Sequence, residues 1–157
     1  AMAGRSVVDG AAPLHMTVMN PLYLYDDEIA RLRAAVRRIR FDRFNMMLNQ
    51  FHVNGKRALL HACAHPAFAA LRWDIDRAAL SAGIVPHAAP NPHVTLSSNA
   101  NGLRIPSMRT SIQWPVDEVS LVWSQRTQET GQRQYVVLER YTANASDWQP
   151  SQLDFSF

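Results

Sequence analysis

The sequence contains one cysteine and one lysine, and it has no long apolar run. A single cysteine, Cys63, excludes an intrachain disulfide, which fits a reducing compartment. No stretch approaches the roughly eighteen apolar residues that a transmembrane helix needs. The start of the chain also lacks the basic segment followed by an apolar one that marks a signal peptide. We therefore predict a soluble, cytoplasmic protein with no membrane partner.

Glycine is also scarce, and no glycine-rich loop of the kind that cradles nucleoside triphosphates is present. Positive charge is present instead: the net charge is +3, and all basic residues but Lys56 are arginines. Arginine is the better bidentate partner for phosphate oxygens. A cluster of arginines is compatible with a nucleic-acid contact or with a solvated helix end. Its members are Arg37, Arg38, Arg40 and Arg43.

The length of 157 residues and an apolar content of 47% fit one compact domain. We predict a single domain over residues 1–143 and a C-terminal tail over residues 144–157. Predicted helices and strands mix without the strict alternation of a doubly wound fold. The expected class is therefore α+β with mainly antiparallel pairing.

Hydrophobic periodicity places two helices in the first half of the chain. The first begins at Asp26, where three successive carboxylates favour a helix N-terminus, and the second begins at Pro66 and ends before Gly83. Their predicted buried stripes are Ile29, Leu32, Val36 and Ile39 in the first, and Phe68, Leu71, Ile75, Ala79 and Leu80 in the second. Strands are predicted over residues 13–19, 40–51, 56–62, 93–97, 116–124 and 135–142.

Two predicted strands carry the same short pattern, in which apolar residues alternate with a histidine and a threonine. Their histidines, His15 and His93, are 78 residues apart, about half the chain. Residues two apart in a strand project from the same face, so His15 lies beside Thr17 and His93 beside Thr95. The flanking apolar side chains point to the opposite face, into the core. Each strand is therefore expected to present an imidazole and a hydroxyl together.

Two such strands facing each other fit in-line cleavage of a phosphodiester. One group must remove a proton from the nucleophile, and another, on the opposite side of phosphorus, must protonate the leaving oxygen. Histidine, with an unperturbed pKa of about 6.5, serves either role near neutral pH. Threonine hydroxyls donate to the non-bridging oxygens, where negative charge accumulates. One His-x-Thr strand is uninformative, but a matched pair predicts a site that needs no metal.

The pattern resembles the 2H phosphoesterase superfamily and, within it, the 2′-5′ RNA ligase family, whose members are RNA 2′,3′-cyclic phosphodiesterases. Residues 92–96 (PHVTL) are similar to the second motif of that family. Residues 119–124, followed by Gly131 and Tyr135, resemble its closing hairpin. The similarity runs from about residue 15 to residue 142, which is most of the chain.

This resemblance implies a two-lobed, pseudo-symmetric α+β fold with antiparallel sheets around a central cleft. It implies opening of a terminal 2′,3′-cyclic phosphate to a 2′-phosphate, and in some members reversible 2′-5′ joining of RNA ends, with no cofactor. It further implies that His15 and His93 form the acid/base pair and that Thr17 and Thr95 hold the phosphate. Which histidine is the acid and which the base stays open.

The sequence departs from the family pattern at three places. Only fourteen residues precede His15, so the usual N-terminal strand and helix are lacking, or residues 5–8 replace that strand. Asn20 stands where relatives often have an aromatic residue, and Ser98 where they often have an arginine. Further candidate substrate contacts, some of them replacements for these two, are Tyr25, Phe51, Arg104, Arg109 and Tyr135.

The expected partners are RNA ends or small cyclic-phosphate nucleotides. We expect a monomer, with dimerisation through an exposed N-terminal sheet edge as the alternative. Two other functions stay open. One is an RNA-binding module with weak or no turnover, which the residues at positions 20 and 98 favour. The other is a phosphodiesterase that acts on small cyclic nucleotides.

One further segment resembles a metal-binding pattern, because its histidines and cysteine alternate. Three side chains (His61, Cys63 and His65) would share a face if extended, and they would suit zinc or copper. The favoured interpretation is a strand end in which the cysteine is a small buried residue, and we predict no metal. His52 and His87 are predicted to lie in surface loops.

Overall fold

The computed structural model describes residues 14–88, 91–102, 104, 110–126, 128–129, 131 and 133–144. The described chain forms two helices and six strands. In chain order they are α1 (Asp26–Val36), β1 (Phe44–Asn54), β2 (Arg57–Ala62), α2 (Pro66–Ser81), β3 (His93–Ser97), β4 (Ile112–Val116), β5 (Glu118–Arg126) and β6 (Arg133–Thr142). Neither helix has the length and apolar character that crossing a membrane demands.

All strand pairs are antiparallel, which confirms the predicted α+β class. Four strands form one sheet in the order β3-β2-β1-β4, and β5 pairs with β6 in a second sheet. The hairpin between β1 and β2 turns at Gly55, whose φ of 59° lies in the left-handed region that favours glycine. Strand β4 was not predicted. It contains Pro115, which has no N–H to donate, and an edge strand tolerates such a residue because one of its sides has no partner strand.

The strand predicted over residues 13–19 is the main error in secondary structure. Within the described part of that segment, Met16 forms an isolated bridge with Val94 and no regular strand develops. Burial of every flanking apolar residue in the two motifs is also wrong, because Leu14 and Leu96 are 56% and 42% exposed. Only the central residue of each motif enters the core.

Helix α1 follows its predicted bounds closely. Its N-terminus is closed by Glu28, whose Oε2 accepts a hydrogen bond from the backbone N–H of Tyr25 at 2.8 Å. Leu32 is 1% exposed and belongs to a core shared with α2, and Leu121 and Tyr141 of the β5–β6 hairpin pack against that core. The β5–β6 hairpin therefore packs against a core that both helices share.

Helix α2 begins and ends as predicted. The Nδ1 atom of His65 accepts from the backbone N–H of Ala67 at 3.1 Å, and Gly83 follows the end of the helix with φ 78°. Leu80 is 56% exposed, contrary to the prediction, whereas Ala79 is fully buried. Successive helical residues are separated by about 100°, so Leu80 is turned away from the buried stripe that Ala79 continues.

Arg33 of α1 and Arg37, which directly follows the helix, tie it to β6. Arg33 Nε and Arg37 Nε donate to the two carboxylate oxygens of Glu139 at 2.7 and 2.5 Å. Nearby, the guanidinium of Arg40 donates to two backbone carbonyls at the helix end. These contacts favour a structural role for Arg37 and Arg40 over contact with nucleic acid.

The Glu139 carboxylate makes stability depend on pH. Its hydrogen bond with Arg37, supported by Arg33, holds the pKa of Glu139 below the usual 4.5. A carboxyl with a depressed folded-state pKa stabilises the fold above its unfolded pKa and loses that contribution as the pH falls through the folded value. Glu139→Gln is therefore expected to lower the urea midpoint at neutral pH and to matter progressively less below pH 4.5. The control is Asp74→Asn, at an exposed site on α2. A difference in urea midpoint between the wild-type protein and Glu139→Gln that stays the same at every pH would contradict this linkage.

Candidate active site

The central residues of the two motifs hold the segments together. Met16 forms an antiparallel bridge with Val94. Val94 is 1% exposed and packs with Leu48 and Leu60, and Met16 lies against the same cluster. The backbones of both motifs therefore rest on one apolar core, which fixes their relative position.

The bridge aligns the two motifs in opposite directions. Antiparallel pairing extended by one residue on either side of it would set His15 opposite Thr95 and Thr17 opposite His93. Neighbours of a core-facing residue in extended backbone project from the other face, so this alignment would turn the four polar side chains away from the core. A phosphate lying over the pair would meet both kinds of donor from both segments.

The ring of His93 is oriented by the backbone next to it. Its Nδ1 atom lies 2.8 Å from the carbonyl oxygen of Asn91. A carbonyl only accepts, so Nδ1 carries the hydrogen, and Nε2 is the atom left to exchange a proton with a substrate. The backbone carbonyl therefore selects one tautomer of this histidine.

The ring of His15 lies against the second sheet. Its centroid is 5.3 Å from that of Tyr135, and the planes meet at 61° in an edge contact. Tyr135 is on β6 and pairs with Ser124 of β5. Of the five further candidate contacts, Tyr135 is the one whose ring the structure sets against a motif histidine.

The other four candidates have different placements. Tyr25 directly precedes α1 and is 80% exposed, and Arg104 is exposed in the segment between β3 and β4. Phe51 pairs with Leu60, so it shares the face of the apolar cluster and not the face of His93. Arg109 lies outside the described residues. The roles of these side chains in substrate binding stay predictions.

A third imidazole stands beside His93, where the sequence alone did not place it. His61 of β2 is the cross-strand partner of His93, and the ring centroids are 5.4 Å apart. His52 continues the row, with its ring 5.8 Å from that of His61. His52 lies in β1, so the prediction of a loop was wrong. The alternation around His61 in β2 was the available signal, but only strand pairing shows which residue faces it.

Its surroundings disfavour the charged form of His61. Partial burial lowers the pKa of His61, and the imidazoles of His93 and His52 lower it further. A charge on either neighbouring ring would repel the charge that protonation adds to His61. A bound anion would instead favour protonation of His61.

The alternating segment after β2 does not form one extended face. Strand β2 ends at Ala62, and the next histidine, His65, uses Nδ1 to cap α2 while its ring stacks on Phe44. Cys63 donates its backbone N–H to the carbonyl oxygen of Met47 at 2.8 Å. Within the described ranges, no three His, Cys, Asp or Glu side chains are grouped so as to hold a metal ion.

Comparison with solved structures shows the same fold in known proteins. Escherichia coli LigT complexed with 3′-AMP has a TM-score of 0.68 at 21% identity, over 83% of this chain and 77% of that one. TT0787 of Thermus thermophilus has a TM-score of 0.66 at 23% identity, over 82% and 77%. A structure described as a phosphoesterase also has a TM-score of 0.68. These likenesses confirm the expected fold.

The sequence was also compared with curated proteins and with family models. No curated protein matched. The family model described as the 2′-5′ RNA ligase superfamily matches residues 6–128, which is well over half of the chain and includes both motifs. The protein therefore belongs to the 2′-5′ RNA ligase superfamily.

Proposed function

We propose that this protein is a metal-independent RNA 2′,3′-cyclic phosphodiesterase, which opens a terminal cyclic phosphate to a 2′-phosphate. The observation that carries the proposal is the antiparallel bridge between Met16 and Val94, which brings the two motifs side by side. Side by side, the motifs would offer one phosphorus atom two imidazoles for proton transfer and two hydroxyls for charge stabilisation. Membership of the superfamily supports phosphoester chemistry as the class of reaction.

The proposed reaction uses each of the four side chains once. One histidine removes a proton from water as its oxygen attacks phosphorus. The bond from phosphorus to the ribose 3′ oxygen breaks, and the other histidine protonates that oxygen. Thr17 and Thr95 donate to the non-bridging oxygens as their charge grows. With the 5′-hydroxyl of a second RNA in place of water, the same steps form a 2′-5′ link, which is the ligase reaction.

The direct test follows a nucleoside 2′,3′-cyclic phosphate with protein purified in EDTA. We expect a 2′-phosphate as the only product, and no conversion by the double variant His15→Ala, His93→Ala. Product identity is read by chromatography against authentic 2′- and 3′-phosphates. Equal rates for the wild-type protein and the double variant would end the proposal.

One contact favours a second candidate function, that of an RNA-binding module with little turnover. The side-chain amide of Asn20 donates to the backbone carbonyl of Ala88, so this residue is hydrogen-bonded to the chain at a position where the family often has an aromatic ring. Salt-sensitive RNA binding without turnover of any cyclic phosphate would favour this function. Turnover of small cyclic nucleotides, but not of RNA ends, would favour the other alternative substrate class.

A further inference from the structure

Basic side chains recur on the face of His93 across the sheet, with the buried Leu59 among them. Register pairs His61 with His93 on one side and with Gln50 on the other. Residues at two-residue spacing share a face, and His52 and Arg57 therefore lie on the face of His93 as well. We call His61, His52 and Arg57 the basic track.

The basic track leads away from the paired motifs towards the tip of the β1–β2 hairpin. Its first two steps are the 5.4 Å from His93 to His61 and the 5.8 Å from His61 to His52. His52 and Arg57 are exposed, so a ligand reaches them without rearrangement of the fold.

We propose that the basic track binds the backbone phosphate immediately 5′ of the terminal cyclic phosphate, which makes an oligonucleotide a better substrate than a mononucleotide. This inference rests on the proposed function for the position of the cyclic end. Imidazolium and guanidinium groups bind phosphate through charge-assisted hydrogen bonds. A single RNA strand that leaves the paired motifs over β2 and β1 lays its next phosphate on these donors.

Protonation of the histidines in the basic track is coupled to binding of this phosphate. The groups that face His61 are the imidazoles of His93 on β3 and His52 on β1, with neutral Gln50 as its other partner. A phosphate favours protonation of such imidazoles, so binding takes up protons. The preference for an oligonucleotide is therefore expected to be larger at about pH 6 than at about pH 8, on either side of the usual histidine pKa.

The test compares two product-like ligands that differ by one backbone phosphate. They are a nucleoside 2′-phosphate and a dinucleotide with a terminal 2′-phosphate. We expect the wild-type protein to bind the dinucleotide about tenfold more tightly, as suits one charge-assisted phosphate contact. The double variant His52→Gln, Arg57→Gln is expected to bring that ratio close to one. Arg77→Gln, which removes an exposed arginine from α2, is the matched control and should keep the full ratio.

Salt dependence gives a second readout of the same interaction. The slope of log affinity against log salt should be smaller for the double variant by about 0.7 for each phosphate that the protein no longer neutralises. The proposed role of the basic track is overturned if the wild-type protein binds both ligands about equally well. It is also overturned if the double variant leaves the ratio of the two affinities unchanged. The ratio of kcat/KM for the dinucleotide and the mononucleotide, each with a terminal 2′,3′-cyclic phosphate, tests the same contact during turnover. Failure to turn over either cyclic form would defeat the proposed function, while the binding ratio would still decide the track.

Discussion

Replacing either His15 or His93 with glutamine is expected to lower kcat for opening of a cyclic phosphate by about 10²–10⁴-fold, the usual contribution of one acid or base. Glutamine keeps a polar side chain in the motif but cannot exchange a proton near neutral pH. In-line displacement needs a base on one side of phosphorus and an acid on the other, so one histidine cannot serve both roles in the same step. Rates with a nucleoside 2′,3′-cyclic phosphate measure the effect.

The pH profile separates loss of proton transfer from loss of structure. One histidine must be neutral and the other protonated, so the wild-type rate should be bell-shaped in pH. His15→Gln should remove one limb of that curve and His93→Gln the opposite limb. His87→Gln, in the exposed segment between α2 and β3, should leave both limbs in place. Single variants that retain both limbs would contradict the assignment of these residues as the acid/base pair.

Leu48→Ala is expected to lower the free energy of unfolding by about 2–5 kcal/mol, the range for a buried leucine replaced by alanine. Leu48 is 1% exposed and packs with Leu60 and Val94 beneath the paired motifs. The cavity would be bounded on one side by β3, which carries His93. Urea unfolding measures the change, and Met47→Ala is the control because Met47 is 44% exposed on the same strand.

The cavity below Val94 is also expected to lower the catalytic rate. Loss of support beneath β3 lets His93 and Thr95 depart from the geometry that the bridge to Met16 imposes. The folded fraction of Leu48→Ala is therefore expected to turn over more slowly, and Met47→Ala is expected to match the wild-type protein in both respects. Equal losses of stability in the two variants would show that this cluster does not support the site.

The two halves of the site differ in their surroundings although their motifs match. A backbone carbonyl fixes the tautomer of His93, and the ring of His61 stands beside it. His15 instead meets the edge of Tyr135, on the other sheet. The two imidazoles therefore approach a substrate from unlike surroundings, although their motifs match.

Local signals in the sequence were sufficient for most of the fold. Carboxylates at Asp26, the proline at the start of α2 and the glycine at the β1–β2 turn each act within a few residues, and the helices and hairpin follow from them. Strand β4 and the irregular course of the first motif could not be found in this way. An edge strand with a proline, and a segment paired through one residue, depend on a distant partner for their backbone hydrogen bonds.

The duplicated His-x-Thr pattern, the alternation that sets each histidine beside a threonine, and the absence of disulfide and phosphate-loop chemistry are properties of the sequence itself, because periodicity and composition act locally. Tertiary structure decided which residues meet. Strand register made His61 the neighbour of His93 and turned Phe51 away from the motif face. Packing of the second sheet against the first motif brought Tyr135 to His15. Residues far apart in the chain come together only through strand pairing and core packing, and a shift of one residue would reverse every face.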